Sequence, residues 1–221
     1  MLDAEEAAPF RGVGRLNVAG TRFCTATLIS ETVIVTAAHC LFHPRTRERV
    51  PLAEFRFVAG LRLGKNAAVR WVARAVTQPD FAFEGFASPA GVVADLALLE
   101  LSAPVTAAEA PAFETGPLRA GKGAGPLVIV SYARDRAQAP SIEDCGLASA
   151  FHGVAALACG VDFGASGAPV FQGEAEGRRL VAVVSAMGRV LASEEPVTLA
   201  VPVGPWIEPL LAALAAQPWE E

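Results

Sequence analysis

The hexapeptide Gly164-Ala165-Ser166-Gly167-Ala168-Pro169 puts a serine in a tight turn ahead of the apolar pair Val170-Phe171. A serine hydroxyl becomes a nucleophile when it is exposed at such a turn, with backbone N–H groups free to hold a developing oxyanion. Gly164 lets a substrate approach the backbone with no Cβ in the way, and the N–H groups of Gly164 and Ser166 are the candidate donors. A hydroxyl nucleophile needs a base. Of three histidines, His39 closes the apolar run 33–38 directly before Cys40, a setting that would hold an imidazole in place; His43 and His152 read as loop residues. Asp95 lies in the apolar stretch 92–99. A carboxylate there is partly buried and costs several kcal/mol unless it is paired, and an imidazole N–H is a suitable partner.

Singly, each residue has an ordinary reading: a loop serine, a strand-end histidine, an aspartate that pairs with an arginine or caps a turn. Together they form a set in which the hydroxyl attacks, the imidazole shuttles the proton, and the carboxylate fixes the tautomer and stabilises the imidazolium. The chain order His, Asp, Ser matches one known convergent arrangement and differs from two others.

The elements that must position these groups are short apolar runs, rich in Val and bounded by Gly, Pro, Ser or charge. Segments 15–19, 23–29, 32–37, 55–59 and 69–76 read as strands in the first half, and 127–132, 154–158, 180–185 and 197–201 in the second. Between them, residues 103–125 hold Pro104, Pro111, Gly116, Pro117, Gly121, Gly123 and Gly125, a linker composition. The expected division is 1–105 with His39 and Asp95, a linker over 106–125, and 126–221 with Ser166. Helical spacing occurs only at the end, where Trp206, Leu210, Leu211 and Leu214 share a face; Pro205 fits an early position and Pro209 the first turn. The chain reads as mainly β in two halves with one C-terminal helix.

With 221 residues, 52% hydrophobic and 19% charged, the chain can bury a sizeable interior. A net charge of -5 argues against nucleic acid as the main partner, since phosphate binding needs clustered Lys and Arg; the run Arg45, Arg47, Arg49 reads as a solvated loop. No apolar stretch approaches the roughly 20 residues that span a bilayer. The acidic residues 1–6 lack the form of a signal peptide, so the expectation is either a cytosolic protein or a mature form with an added or retained Met1. The cysteines Cys24, Cys40, Cys145 and Cys159 form no CxxC and no His/Cys metal spacing. Four cysteines allow three pairings. Pairing neighbours would close two short loops, each stabilising by roughly 3 kcal/mol if loop-closure entropy sets the gain. Disulfides imply an oxidising compartment; four buried free thiols are the alternative.

Thr36-Ala37-Ala38-His39-Cys40 resembles the histidine motif of the trypsin/chymotrypsin-like serine proteases, Asp95-Leu96-Ala97-Leu98-Leu99 their aspartate motif, and Gly164-Ala165-Ser166-Gly167-Ala168-Pro169 their serine motif. The resemblance runs from about Arg11 to Trp206; its histidine motif is very specific and its aspartate motif weak. It implies an all-β fold of two six-stranded antiparallel β-barrels with a C-terminal α-helix, the catalytic groups at their junction, and a secreted or periplasmic serine endopeptidase. The implied catalytic residues are His39, Asp95 and Ser166, with the N–H groups of Gly164 and Ser166 as oxyanion hole. Cys24 and Cys40 fall where the family has a disulfide bracing the histidine loop, which favours pairing neighbours. The spacing of Cys145 and Cys159 ahead of Ser166 is similar to that of bacterial glutamyl endopeptidases. The expected partner is a polypeptide substrate, with no nucleic acid, no membrane span, no metal and no cofactor, acting as a monomer. A catalytically inactive homologue serving as a protein-binding module is the alternative; an esterase with these groups would ordinarily have another chain order.

By the same resemblance Ser185 sits near Asp95, Ala186 and Met187 form one wall of the primary substrate pocket, and Val161, Asp162 and Phe163 lie at its base or rim. Glutamyl endopeptidases use a histidine where Val184 stands, so a glutamate preference is not expected, and Val161, Ala186 and Met187 suggest an apolar one. Asp162 would attract Arg or Lys if it faced the pocket, but the favoured reading turns it outward to an arginine. Two positions depart from the family. Ala168 replaces the more usual glycine, a small change. Ala165 replaces an aspartate that in zymogens pairs with a newly cut N-terminus, and a methyl group cannot accept an ammonium. Residues added ahead of Met1 are therefore expected to leave turnover unchanged in a steady-state assay, and a large gain on trimming them would contradict this.

Overall fold

Strands that are apolar on both faces need partners on both faces, and the chain supplies them with two barrels pressed together. The computed structural model describes residues 1–85, 89–189 and 194–217. Strands β1 (Val13–Val18), β2 (Arg22–Leu28), β3 (Val33–Thr36), β4 (Phe55–Ala59), β5 (Ala68–Thr77) and β6 (Ala97–Leu101) close one antiparallel barrel in the order β1-β2-β3-β6-β5-β4. Strands β7 (Leu127–Ser131), β8 (Ser141–Phe151), β9 (Val154–Ala158), β10 (Pro169–Gln172), β11 (Arg179–Arg189) and β12 (Pro196–Pro202) close the second as β10-β11-β12-β9-β8-β7. This is the two-barrel, all-β architecture expected from the motifs.

The alternation along β7 shows how the barrels share a core. Leu127 and Ile129 point into the second barrel with Val170 and Leu157, whereas Val128 and Val130 join Phe171, Leu180 and the side chains of the first barrel. With both faces covered, β7 is buried at every position. Residues 127–130 accordingly read as an unbroken apolar run.

Three strands lacked a sequence signal. β8 is built largely of Gly, Ala, Ser and acidic residues and exposes most of one face, so no apolar alternation marks it. β10 has four residues. β6 merges in sequence with the apolar residues before it, but the structure breaks that stretch: α2 (Pro89–Val93) ends, the chain turns through Asp95, and β6 begins. Asp95 thus lies in a turn, not within a strand.

α3 (Ile207–Ala216) follows the second barrel but packs on the first, against β5 and β6, burying Ile207, Leu210 and Leu214 at helical spacing. Trp206 is its N-cap, so Pro205 precedes the helix instead of occupying an early position, and Pro209 falls in the first turn, where a missing N–H costs little. Beyond the helix, the Gln217 carbonyl accepts from the Arg74 guanidinium at 2.7 Å, beside the Arg74–Glu100 ion pair. At the other end, α1 (Ala4–Ala7) is held by a capping box between Asp3 and Glu6. Leu2 is buried, and its N–H donates to the Pro140 carbonyl at 2.8 Å.

Segment 132–140 is stitched to the first barrel: Leu63 N–H donates to Gln138, Arg15 to the Ala137 carbonyl, and the Tyr132 hydroxyl to the Leu61 carbonyl at 2.9 Å. Tyr132 is fully buried, and burial pushes its phenol above the ordinary range. The folded state therefore holds the proton more tightly than the unfolded chain. The stabilisation is complete below the ordinary phenol pKa of about 10 and is lost as pH rises through the folded value. Tyr132 is the sole tyrosine, so phenolate absorbance reports it alone. In an alkaline titration, tyrosinate is expected to form only together with loss of folded circular dichroism, and Tyr132→Phe should flatten the alkaline decline in stability. An early phenolate signal in the folded protein would contradict the assignment.

Candidate active site

His39 and Asp95 are 56 residues apart, and strand pairing closes that gap. β3 runs to Thr36 and leads into the 3₁₀ turn Ala38–Leu41 that carries His39. β6 starts two residues after Asp95, and Thr36 pairs with Ala97 in the ladder. The Asp95 carboxylate, 3% exposed, then meets three donors. The backbone N–H of His39 lies 2.8 Å from Oδ1, His39 Nδ1 lies 2.6 Å from Oδ2, and the Ser185 hydroxyl donates to Oδ2 at 2.5 Å. A carboxylate can only accept, so the imidazole proton resides on Nδ1 and Nε2 is left as an acceptor. Ser185, expected near Asp95, is its direct partner.

The second barrel delivers Ser166 to the same place. A cleft of about 340 Å³ is lined by His39, Asp95, Ser166 and Ser185, together with Phe81 and Phe83. Ser166 Oγ makes no hydrogen bond to His39 among the described residues, which is common when a site holds no substrate. The loop around it is closely fitted. Gly164 has φ +102°, and a Cβ there would lie 2.5 Å from the Phe23 ring. Gly167 has φ +79°, and a Cβ would lie 2.1 Å from Thr36 Oγ1 and 2.2 Å from the Thr25 carbonyl oxygen. Only glycine fits either position. The N–H groups of Gly164 and Ser166 donate to no group among the described residues.

Both disulfides pair neighbours, Cys24 with Cys40 and Cys145 with Cys159. The first joins β2 to the turn bearing His39. Its sulfurs lie near the imidazole, but disulfide sulfurs offer no thiolate to a metal. His43 and His152 are exposed and do not line the cleft, and Arg45, Arg47 and Arg49 are exposed.

A family profile described as trypsin-like peptidase domain matches residues 24–183, which span His39, Asp95 and Ser166. The chain belongs to this family. No curated protein matches the trypsin-like chain in sequence. Among solved structures it is similar to a Glu endopeptidase in complex with MPD (TM-score 0.75, 13% identity, 98% of this chain and 96% of that one). It is also similar to the thermostable serine protease AL20 from an extremophilic microorganism (0.73, 16%, 95% and 100%). A third is the inactivated protease paralogue S-D1 of the scabies mite (0.75, 11%, 97% and 97%). At these identities the likeness concerns the fold.

The residues expected around a substrate pocket divide. Val161 and Met187 line a second cavity of about 270 Å³ with Pro196 and Val197, whereas Phe163 and Ser185 line the cleft of His39, and Asp162 and Ala186 line neither. The Asp162 carboxylate accepts from the Phe163 N–H at 2.6 Å, and no arginine pairs with it among the described residues. The expected outward ion pair is therefore replaced by a local backbone bond. Phe163 carries the Arg134 guanidinium 4.4 Å from its ring centre. Phe81 and Phe83, backed by Phe42, had no sequence signal beyond being apolar residues in a loop. Thr25 had none either, because a threonine in a strand is ordinary.

Proposed function

We propose that this trypsin-like protein is a serine endopeptidase that cleaves peptide bonds through an acyl-enzyme. The observation that carries the reading is the Asp95–His39 pair at 2.6 Å, opening onto the cleft that Ser166 also lines. Ser166 Oγ attacks the peptide carbonyl carbon while His39 Nε2 takes the hydroxyl proton. Asp95 keeps the other ring proton on Nδ1 and stabilises the imidazolium. The carbonyl oxygen becomes an oxyanion held by the N–H groups of Gly164 and Ser166. His39 then passes its proton to the departing amine, and water repeats the sequence to release the acid from Ser166. No metal or organic cofactor is required for these steps.

The cavity beside Val161 and Met187 supports a preference for an apolar residue before the scissile bond. Its closest cation, Arg189, is engaged with the Glu194 carbonyl at 2.8 Å. Two disulfides support a secreted or periplasmic setting, since such bonds persist in oxidising compartments. The oxyanion hole does not depend on an N-terminal ammonium at position 165, because Ala165 is fully buried and offers no acceptor.

A second reading, an inactive homologue that binds protein, is favoured by the 41% exposure of Met187 at the second cavity. A fluorophosphonate probe separates the two. Labelling at Ser166 near neutral pH, lost in Ser166→Ala and in His39→Ala, is expected of the endopeptidase; an unlabelled, folded wild type would overturn it and favour the binding module. Cleavage of a proteome-derived peptide mixture is expected to enrich apolar side chains before the cut, and enrichment of glutamate there would overturn the pocket assignment.

A further inference from the structure

The serine loop is held through its carbonyl groups. Four consecutive peptide carbonyls each have a donor: Phe163 from the Arg134 N–H at 2.7 Å, Gly164 from the Thr25 hydroxyl at 3.0 Å, Ala165 from the Ala168 N–H at 2.9 Å, and Ser166 from the Thr25 N–H at 2.8 Å. Three further N–H groups of the loop are spent as well, Phe163 on the Asp162 carboxylate, Ala165 on the Asp162 carbonyl and Gly167 on the Val184 carbonyl. What remains is the N–H of Gly164 and that of Ser166. In a trans peptide the N–H points opposite to the carbonyl of the preceding residue, so the Phe163 and Ala165 carbonyl bonds aim the Gly164 and Ser166 N–H groups, and the Gly164 carbonyl bond holds the peptide between them.

Of the four ties, three are backbone to backbone. The fourth is a side chain, and it comes from the other barrel. Thr25 lies on β2 and is fully buried. Its hydroxyl accepts from the Tyr132 N–H at 3.1 Å and gives its single proton to Gly164, the shorter of its two candidate acceptors; the Tyr132 carbonyl lies at 3.5 Å. Thr36 Oγ1 in turn donates to the Thr25 carbonyl at 2.8 Å, which fixes Thr25 from its own barrel. The peptide that Thr25 grips joins Gly164 to Ala165. It follows Gly164, at φ +102°, whose missing Cβ leaves the backbone free to rotate there.

We infer that the Thr25 hydroxyl is a positioning residue for the oxyanion hole: from the first barrel it holds the Gly164–Ala165 peptide, which joins the peptide carrying the Gly164 N–H to the one carrying the Ser166 N–H, and so sets how the two donors are oriented to each other. This rests on the endopeptidase reading above. Thr25→Val keeps the side-chain shape and removes the hydroxyl, so the Gly164 carbonyl and the Tyr132 N–H lose their partner. Outright loss of an oxyanion donor costs about 10²–10³ in kcat; a donor that is present but loosened is expected to cost about 10-fold. KM should stay within about 2-fold, because a ground-state substrate does not use the oxyanion contact fully.

The test measures kcat, KM and inhibition by a peptide aldehyde, which forms a tetrahedral adduct, for wild type, Thr25→Val, Thr25→Ala and Thr25→Ser. Folding is checked by circular dichroism at the assay temperature, and Thr25→Ala stands in if the valine variant does not fold. The expected result is a fall in kcat and in aldehyde affinity together, restoration in Thr25→Ser, and faster amide exchange at Ala165 and Gly167 in the variant lacking the hydroxyl. Unchanged kcat and aldehyde affinity in a folded hydroxyl-free variant would overturn this inference alone. So would a loss in Thr25→Ser equal to that in Thr25→Val. A wild type that neither turns over peptide nor labels at Ser166 would overturn the endopeptidase reading and this inference with it.

Discussion

A carboxylate removed from water costs several kcal/mol unless donors replace its hydration, and Asp95 is that carboxylate. Its donors come from both sides of the junction between the barrels: His39 supplies two from the turn after β3, and Ser185 supplies one from β11. The apolar contacts across the same junction, such as Val128, Val130 and Phe171 against the first barrel, provide cohesion but little direction. Hydrogen bonds of 2.5–2.8 Å are intolerant of displacement. A slide of one barrel over the other would leave much of the apolar contact intact and strand the acid. The demand of one buried charge thus fixes the relation of the two barrels, and with it the cleft.

The serine loop obeys the same junction from the opposite side. Gly167 lies so close to Thr36 and Thr25 that a single methyl group would collide with both, and the Ser166 carbonyl is bound to the Thr25 N–H. The proposed nucleophile is therefore located by β2, in the first barrel, as much as by the second barrel to which its own chain belongs. Ala165, buried beneath it, spares the junction a second carboxylate in need of partners. The N-terminal segment is fastened by other means, through the Leu2 backbone and the Arg62 side chain that donates to the Leu2 carbonyl.

The parts of the fold that could be read in the sequence are those where burial dictates composition. β3 and β7 are covered on both faces and, apart from Thr36 and Ser131 at their ends, consist of Val, Ile and Leu, so their existence follows from residue type. β8 is covered on one face only in part, and its alternation of small and polar residues carries no comparable signal. The break between α2 and β6 was hidden for a related reason: a buried turn and a buried strand have the same apolar composition, and Asp95 is the one polar residue in between. The site shows the same divide. His39, Asp95 and Ser166 are each ordinary alone and stand out as a set, in the chain order and motifs that their chemistry requires. Thr25 does not, since its role depends on what lies across the junction at position 164, which no local pattern encodes. The pocket expectations were split for that reason too: Phe163 and Met187 are two walls of different cavities, separated by how the loop turns at Asp162.

The Cys24–Cys40 bond acquires its meaning from these positions. One sulfur belongs to the residue before Thr25 and the other to the residue after His39, with Cα atoms 6.3 Å apart. The strand that locates the serine loop and the turn that carries the imidazole are thereby covalently one unit. Two groups remote in sequence keep their separation only if errors along the intervening chain do not accumulate. Here they need not, because both are referred to residues 24–40. Cys145–Cys159 lies in the second barrel, tying β8 to the end of β9 just before the segment that leads to Ser166. The first bond is therefore better understood as fixing positions at the junction than as general reinforcement, whereas the second ties neighbouring strands within a barrel that already closes through backbone hydrogen bonds.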